Sequence, residues 1–452
     1  MILIFGVLLY TEQITKDNFS LVKLQESFDQ FTNSFDVNGG ADSADPASES
    51  SSNTNDEELN KLGFRIAKGN VAFKFLNKKQ RSGDRDTIVK QNRHTYEELT
   101  KQAIHEPKDF DIESIRPPED PANYDRANAT ILCLVRNQEA LTILKSIKQL
   151  EKSFNSKFNY PYMFINDQPF TNRFMEKMRA LTNAEIHFAQ VPPEMWDKPG
   201  TIDLDREKKG QKKLASEDVA YAQKASYHNM CRFYSRSFYK VPELLNYKYY
   251  WRLEPNIQFY SEINYDVFKY LQGTGKVYGF TMGLYDIEQS IATLWPETLK
   301  YLNTGDNYKY VNPSGSFQWL VEDLQNPHKN KRAGGYSTCH FWSNFEIADL
   351  DFWRSEAYDN WVKYLDSTGK FYYERWGDAP VHSLGLSLFA DKSKIHWFRD
   401  IGYFHDPYQH CPNAPNTKSC KVGSFCKYEN LQDQNCMGNW IDNELDDPAK
   451  YY

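Results

Sequence analysis

ATILCLVRNQEALTILKSIKQLEKSF, residues 129–154, changes its periodicity part-way along. The first seven residues form a continuous apolar run, as a strand buried on both faces requires. After Asn137 the apolar positions Leu141, Ile143, Leu144, Ile147 and Leu150 recur at helical spacing. A strand running directly into a helix is the first half of a βαβ unit, and YPYMFIND at 160–167 completes it. FMEKMRAL at 174–181 and AEIHFAQV at 184–191 repeat the alternation, residues 217–239 read as one long helix, and YYWRLEPNIQFY at 249–260 supplies a further strand. This order predicts an α/β domain with a mainly parallel central sheet flanked by helices.

In such sheets ligands bind beyond the carboxyl ends of the strands. Arg136, the Asn166–Asp167 pair and Glu254 occupy those ends. Neither GxGxxG nor GxxxxGK[ST] follows the first strand, so a dinucleotide fingerprint and a phosphate loop are both absent, and Arg136 is the candidate to receive phosphate instead. Pro255 cannot donate to a ladder, so it ends its strand and leaves Glu254 at the break. That carboxylate either pairs with Arg252 at a strand end or serves as a hard oxygen ligand for magnesium or manganese. His405, in RDIGYFHDPYQHCP, is its best partner for manganese, which also accepts imidazole; by itself it reads as a loop histidine.

Three further stretches carry candidates. In TCHFWSNFEI (338–347), Asn344 and Glu346 stand among His340, Phe341, Trp342 and Phe345, so the carboxylate is partly desolvated. Glu346 is then either a hydrogen-bonded structural residue or a nucleophile or stabiliser at the anomeric carbon of a sugar. Asp378 in RWGDAPVHSLGL is expected to cap a helix that has Pro380 in its first turn, and it can also face the cleft. In SYHNMCRFYSRSFYK (226–240), Tyr227 or Arg232 can reach the site, against a default of core packing with solvated basic residues.

The 452-residue chain has 54 Lys+Arg against 61 Asp+Glu, a formal charge of -7, so no global basic field draws it to nucleic acid, and that class of partner is set aside. MILIFGVLLY at 1–10 is apolar but only half of the roughly 20 residues a membrane span needs, and is expected to be the remnant of a truncated anchor. Residues 11–94, with SADPASESSSNTNDEE at 43–58, are expected to be a flexible stem, leaving 95–452 as the folded domain. Cys411, Cys420, Cys426 and Cys436 lie close together without a CxxC pair, which disfavours zinc and predicts a disulfide-stapled C-terminal loop in an oxidising compartment. Cys133, Cys231 and Cys339 lie singly in apolar contexts. Asn18 and Asn128 head N-glycosylation sequons, in agreement with a secretory location.

Taken in order, ATILCLVRN, SYHNMCRFYSRSFY, YYWRLEPNIQFY, STCHFWSNFEIADLDF, FYYERWGDAPVHSLGLSLF and KIHWFRDIGYFHDPYQHCP closely resemble the fungal Golgi α-1,2-mannosyltransferases of glycosyltransferase family 15, over roughly residues 125–440. The resemblance implies a GT-A type fold in a single catalytic domain, held in the Golgi lumen behind a type II membrane anchor and a stem. It implies retaining transfer of mannose from GDP-mannose to mannose-ending O- or N-linked glycans of glycoproteins, with manganese as cofactor. Glu254 and His405 are then the metal ligands, Glu346 the catalytic residue, and Arg136 a nucleotide contact. Tyr227 and Asp378 attend the donor and acceptor sugars, with Arg252 and Asn344 grouped beside them. The third residue of the family's Glu-Pro-x motif, often Asp, is Asn256 here, and the region 304–335 is longer and more basic at its end than the resemblance leads one to expect. Retention leaves two routes open: a covalent mannosyl-Glu346, or same-face attack with Glu346 steadying an oxocarbenium-like state. Two rival functions use the same features, a mannosylphosphate transferase with the same donor and a non-catalytic mannan-binding Golgi protein.

Overall fold

The structure, a computed structural model, describes residues 64–67, 70–73, 85–106, 110–321 and 332–445. The expected anchor remnant, most of the expected stem and the Asn18 sequon lie outside these residues. Strands β1 (Phe64–Ala67) and β2 (Asn70–Phe73) pair antiparallel. Helix α1 (Arg85–Lys101) starts ahead of the boundary at 95. Its Ile88, Asn92, Tyr96 and Leu99, spaced at helical period, are buried, so this part of the expected stem is a component of the folded domain. The stripe is hard to read in TIVKQNRHTYEEL because one of its buried positions is Asn92. At the closest approach of α1 to the C-terminal helix α7 (Met437–Asn443), a side chain on Gly438 would place its Cβ 2.7 Å from the Asn92 backbone, which makes glycine the residue that fits.

The central sheet has seven strands: β3 (Ala129–Leu134), β4 (Tyr162–Asn166), β5 (Ile186–Gln190), β6 (Tyr249–Leu253), β8 (Tyr278–Phe280), β11 (Phe345–Asp349) and β12 (Ile395–Trp397), in the spatial order β5-β4-β3-β6-β11-β8-β12. β3 to β6 are mutually parallel and β12 is parallel to β8, while β11 runs antiparallel to both neighbours. The chain winds one way from β3 to β4 and β5 and the other way to β6, so the topological switch point lies between β3 and β6. Beyond Pro255 the chain leaves this sheet. Its continuation β7 (Ile257–Phe259) joins a small antiparallel sheet with β13 (Tyr403–His405) and β14 (Tyr408–His410), and β9 (Gly283–Tyr285) pairs with β10 (Cys339–Phe341).

Helices α2 (Ala140–Leu150), α3 (Leu204–Ser216), α4 (Ala225–Arg236), α5 (Glu356–Ser367) and α6 (Asp378–Phe389) include those that cover the sheet. One correction concerns residues 217–239. They do not form a single helix, because Asp218 and Tyr221 adopt left-handed φ of 57° and 61° between α3 and α4, and Val219 and Ala222 turn inward against Leu214. No Gly or Pro marks this break, so composition conceals it. The two faces of the sheet pack two separate apolar cores. Tyr249, Trp251 and Leu253 of β6 enter one, with Phe345 and Ile347 of β11, and Tyr250 and Ala348 enter the other.

The cysteine reading also changes. Cys411 pairs with Cys420, but Cys436 pairs with Cys339, 97 residues earlier, and Cys426 is free. The reason is tertiary. Asn435 bridges Leu284 of β9, which brings Cys436 onto the β9–β10 ribbon, whereas the Cys426 thiol donates to the Pro407 carbonyl.

Asp400 lies buried with a carboxyl oxygen that lacks a hydrogen-bond partner among the described residues, and burial pushes its pKa up to about 7. Its unfolded value lies near 3.8, so the folded state retains a proton that the unfolded chain has lost. This residue therefore costs stability increasingly as pH rises from about 4 to 7. Asp400→Asn is expected to stabilise the protein at pH 8 by on the order of 2–4 kcal/mol and to change nothing near pH 3.5. Thermal denaturation at the two pH values checks this, and equal stabilisation at both would contradict it.

Candidate active site

The site is assembled where β6 ends. Tyr250 and Arg252 project from one face of β6, and the register sets Glu346 of β11 directly beside Arg252. Arg252 is buried and acts as a hub. Its Nε donates to Glu254 Oε1 at 2.7 Å, its Nη1 donates to Asp378 Oδ2 at 2.6 Å, and the same Nη1 stands 3.9 Å from Glu346 Oε1. The guanidinium lies over the Tyr234 ring, 3.6 Å from its centroid. A planar fork can hold two carboxylates in fixed directions while stacking on a ring, which an ammonium cannot do. Burial alone would lower the Arg252 pKa, but Glu254 and Asp378 outweigh it and hold the group firmly charged.

Glu346 is fully buried. It accepts from Tyr250 Oη at 2.8 Å through Oε1, and from Tyr278 Oη at 3.3 Å and His382 Nδ1 at 3.0 Å through Oε2. Both oxygens of this buried carboxylate are thus engaged by protein donors. Asp378 also differs from expectation. Gly377 is the N-cap of α6, and Asp378 makes no cap; its Oδ2 accepts from Arg252 and, at 2.8 Å, from Ser343 Oγ. Burial would raise its pKa, but Arg252, His382 and Ser343 hold it below the usual range. Helix α6 can carry Asp378 so close because Gly385 rests against α5, where a Cβ would come 2.6 Å from the Tyr358 ring.

Glu254 keeps Oε2 without a hydrogen-bond partner among the described residues, and is partly exposed. His405 reaches it through the small sheet: β13 pairs with β7 so that His405 opposes Ile257, three residues past Glu254. Its ring packs edge-on against Trp342, and Nδ1 lies 3.3 Å from the Asp406 carbonyl, so Nδ1 carries the proton and Nε2 keeps its lone pair. Burial pushes its pKa down against the pull of Glu254, leaving a neutral imidazole. One carboxylate oxygen and one imidazole nitrogen fit a divalent cation of the manganese type, whose remaining positions a diphosphate and water can fill. Among the described residues no cluster of three or more His, Cys, Asp or Glu offers an alternative metal site. Asn256 between them has a left-handed φ of 64°, a conformation that Asn and Asp both accept, which gives the motif's third position a backbone role independent of charge.

The remaining candidates divide. Arg136 sits beyond the end of β3, half exposed and paired with Glu139 at 3.0 Å. Asn344 has a buried Oδ1 without a partner among the described residues, while its carbonyl accepts from Tyr403 of β13. Tyr227 accepts from Arg375 Nη1 at 3.1 Å, and Arg375 stands 3.6 Å from Asp286. Arg232 belongs elsewhere, held by Asp366 at 2.6 Å. Asn128 is exposed at the opposite, N-terminal end of β3, its amide donating to the Asn246 carbonyl. Within the region 304–335, residues 322–331 lie outside the described residues. Sequence reading missed Ser343, His382 and Arg375. For His382 a cue existed, since it stands one helical turn after Asp378 on the same face of α6.

The family model described as glycolipid 2-alpha-mannosyltransferase matches residues 86–445, which contain this whole constellation. The chain belongs to that family. As a family member it is a glycosyltransferase. It is 47% identical over 365 residues to the probable mannosyltransferase KTR4 of Saccharomyces cerevisiae, covering 79% of this chain and 77% of that protein. It is 41% identical over 320 residues to the O-glycoside alpha-1,2-mannosyltransferase homolog 2 of Schizosaccharomyces pombe, covering 70% and 81%. The X-ray structure of Ktr4p from S. cerevisiae in complex with GDP superposes with a TM-score of 0.80 at 43% identity, over 88% of this chain and 99% of that one. Core-mannan synthase A from Aspergillus fumigatus, in its Mn/GDP form, superposes with a TM-score of 0.70 at 41% identity, over 85% and 98%. The GT-A type architecture expected of a family 15 mannosyltransferase is thereby shown.

Proposed function

We propose that this mannosyltransferase moves mannose from GDP-mannose to a mannose-ending O- or N-linked glycan, forming an α-1,2 linkage with retention, and that it depends on manganese held by Glu254 and His405. The observation that carries this reading is the Glu254 carboxylate, oriented by Arg252 at the end of β6, with His405 on the adjoining small sheet within reach of its charge. Support comes from relatives named as α-1,2-mannosyltransferases and from related structures that hold GDP or manganese with GDP. A divalent cation at that pair supplies positive charge against the departing diphosphate. Arg252 orients Glu254 for that task and keeps Asp378 aimed beside it. Arg136, beyond the switch-point end of β3, is positioned for phosphate oxygens. Asp378, Ser343 and the Oδ1 of Asn344, which has no partner among the described residues, offer acceptors and a donor to sugar hydroxyls. A Golgi-lumenal location is supported by the two disulfides, which oxidising compartments favour.

Of the two retaining routes, the burial of Glu346 supports same-face attack, with its fixed negative charge stabilising positive charge on the mannose ring from below. Purified protein with GDP-mannose, manganese and methyl α-mannoside is expected to give a disaccharide whose α-1,2 linkage NMR reads directly. Acid-labile phosphate in the product would replace this reading with mannosylphosphate transfer. Glu346→Gln is expected to lower kcat by about 10²-fold with KM for GDP-mannose within a factor of about two. Mass-spectrometric capture of a mannosyl-Glu346 adduct in the wild type would overturn the same-face route.

A further inference from the structure

His382, fully buried on α6, has both ring nitrogens facing acceptors: Nδ1 lies 3.0 Å from Glu346 Oε2, and Nε2 lies 3.0 Å from the Tyr234 carbonyl. A neutral imidazole carries one proton and satisfies only one of these contacts, so the geometry calls for two N–H donors and a cation. We propose that His382 is a positioning residue for mannosyl transfer, a buried imidazolium that holds the Glu346 carboxylate oriented toward Arg252 beneath the reacting sugar. The proposal rests on the mannosyl-transfer reading above.

Its surroundings support this. The Trp353 ring lies 4.3 Å from the His382 ring, with Phe238 at 6.0 Å and Tyr358 at 6.4 Å, so aromatic rings wall the imidazole. The charged and titratable groups that face it are Glu346 from β11, Asp378 one turn earlier on α6, and Arg252, Tyr250, Tyr278, Tyr234 and Tyr358 from the packed elements. Burial alone would lower the His382 pKa, but Glu346, and behind it Asp378, outweigh the effect and raise it. Two cations and three carboxylates then form one cluster: His382 and Arg252 against buried Glu346 and Asp378 and partly exposed Glu254. Without the imidazolium, Glu346 and Asp378 would both rely on one guanidinium.

A merely structural histidine would affect stability and not the coupling to Glu346, so a double-mutant cycle separates the roles. His382→Gln is expected to reduce kcat between about tenfold and a hundredfold, with KM for GDP-mannose within about twofold. In the Glu346→Gln background the same change is expected to alter kcat by less than about threefold. An unchanged kcat in His382→Gln, or an equal loss in both backgrounds, would overturn the proposal. Nitrogen NMR of the wild-type protein with ¹⁵N-labelled histidine needs no variant. It is expected to show a doubly protonated ring at pH 7.5 whose signal is lost in any folded His382 variant, while the ring of His228, which also faces two carbonyls, is unaffected by that change. Only neutral rings at that pH would overturn the proposal even if His382→Gln fails to fold. Absence of transfer by the wild type would instead refute the functional reading and leave the NMR result standing.

Discussion

Glu254→Ala is expected to lower kcat/KM for mannosyl transfer by about 10³-fold or more while leaving the fold intact. The variant removes the one carboxylate oxygen at the end of β6 that is free of hydrogen bonds among the described residues. His405 alone then offers a single nitrogen, which is too little to hold a hard cation against water. The diphosphate leaves with its charge uncompensated, and electrostatic terms of this kind are worth several kcal/mol at the transition state. Stability is expected to change little, because Glu254 is partly exposed and Arg252 keeps Asp378 as a partner. Isothermal titration separates the causes: manganese-dependent GDP binding disappears in Glu254→Ala and survives in Glu346→Gln. Normal manganese-dependent GDP affinity in Glu254→Ala would remove Glu254 from the metal site.

The second large effect is at Arg252. Arg252→Met fills similar volume but leaves Glu254, Asp378 and Glu346 converging with only His382 to balance them. Removing one partner from a buried ion pair costs about 3–5 kcal/mol, which for a domain of this size lowers the melting temperature by roughly 5–10 °C. Activity should fall by about 10²-fold or more beyond the stability loss, because Glu254, the proposed metal ligand, and Asp378 lose their common support. Arg252→Lys keeps the charge and loses the two-directional fork, so it is expected to recover stability more than turnover. Differential scanning calorimetry alongside kcat measurements tests this, and recovery of full activity by lysine would show that charge alone suffices.

Much of this architecture was legible in the residues. The switch from apolar runs to helical spacing at 129–154 and its repetition located four parallel strands, and Pro255 correctly marked where β6 leaves the sheet. What stayed hidden depended on partners distant in sequence. Cys339 and Cys436 meet only because β9 and β10 form a ribbon under the C-terminal segment. The depth at which Glu346 lies follows from its register with Arg252 and from two tyrosines on other strands. The break at 217–224 rests on left-handed Asp218 and Tyr221; Asp accepts that conformation, but a tyrosine gives no sign of it. His382 was overlooked because a histidine in an apolar helix reads as core, and here it is core and charged at once.

The reversed direction of β11 bears on how the gene can vary in length. Along β11, residues alternate between the charged layer and the aromatic core formed by Trp251, Phe259 and Phe398. One extra codon between Trp342 and Phe345 that propagates along the strand would swing Glu346 into that aromatic core and present Phe345 to Arg252. Chain length at the exposed turn around Gly305, where a side chain would meet open space, is free of this coupling. Insertions and deletions among variants of this gene should therefore accumulate at the turn and be purged from the three residues ahead of Glu346. That is a pattern of length variation, distinct from any pattern of substitution.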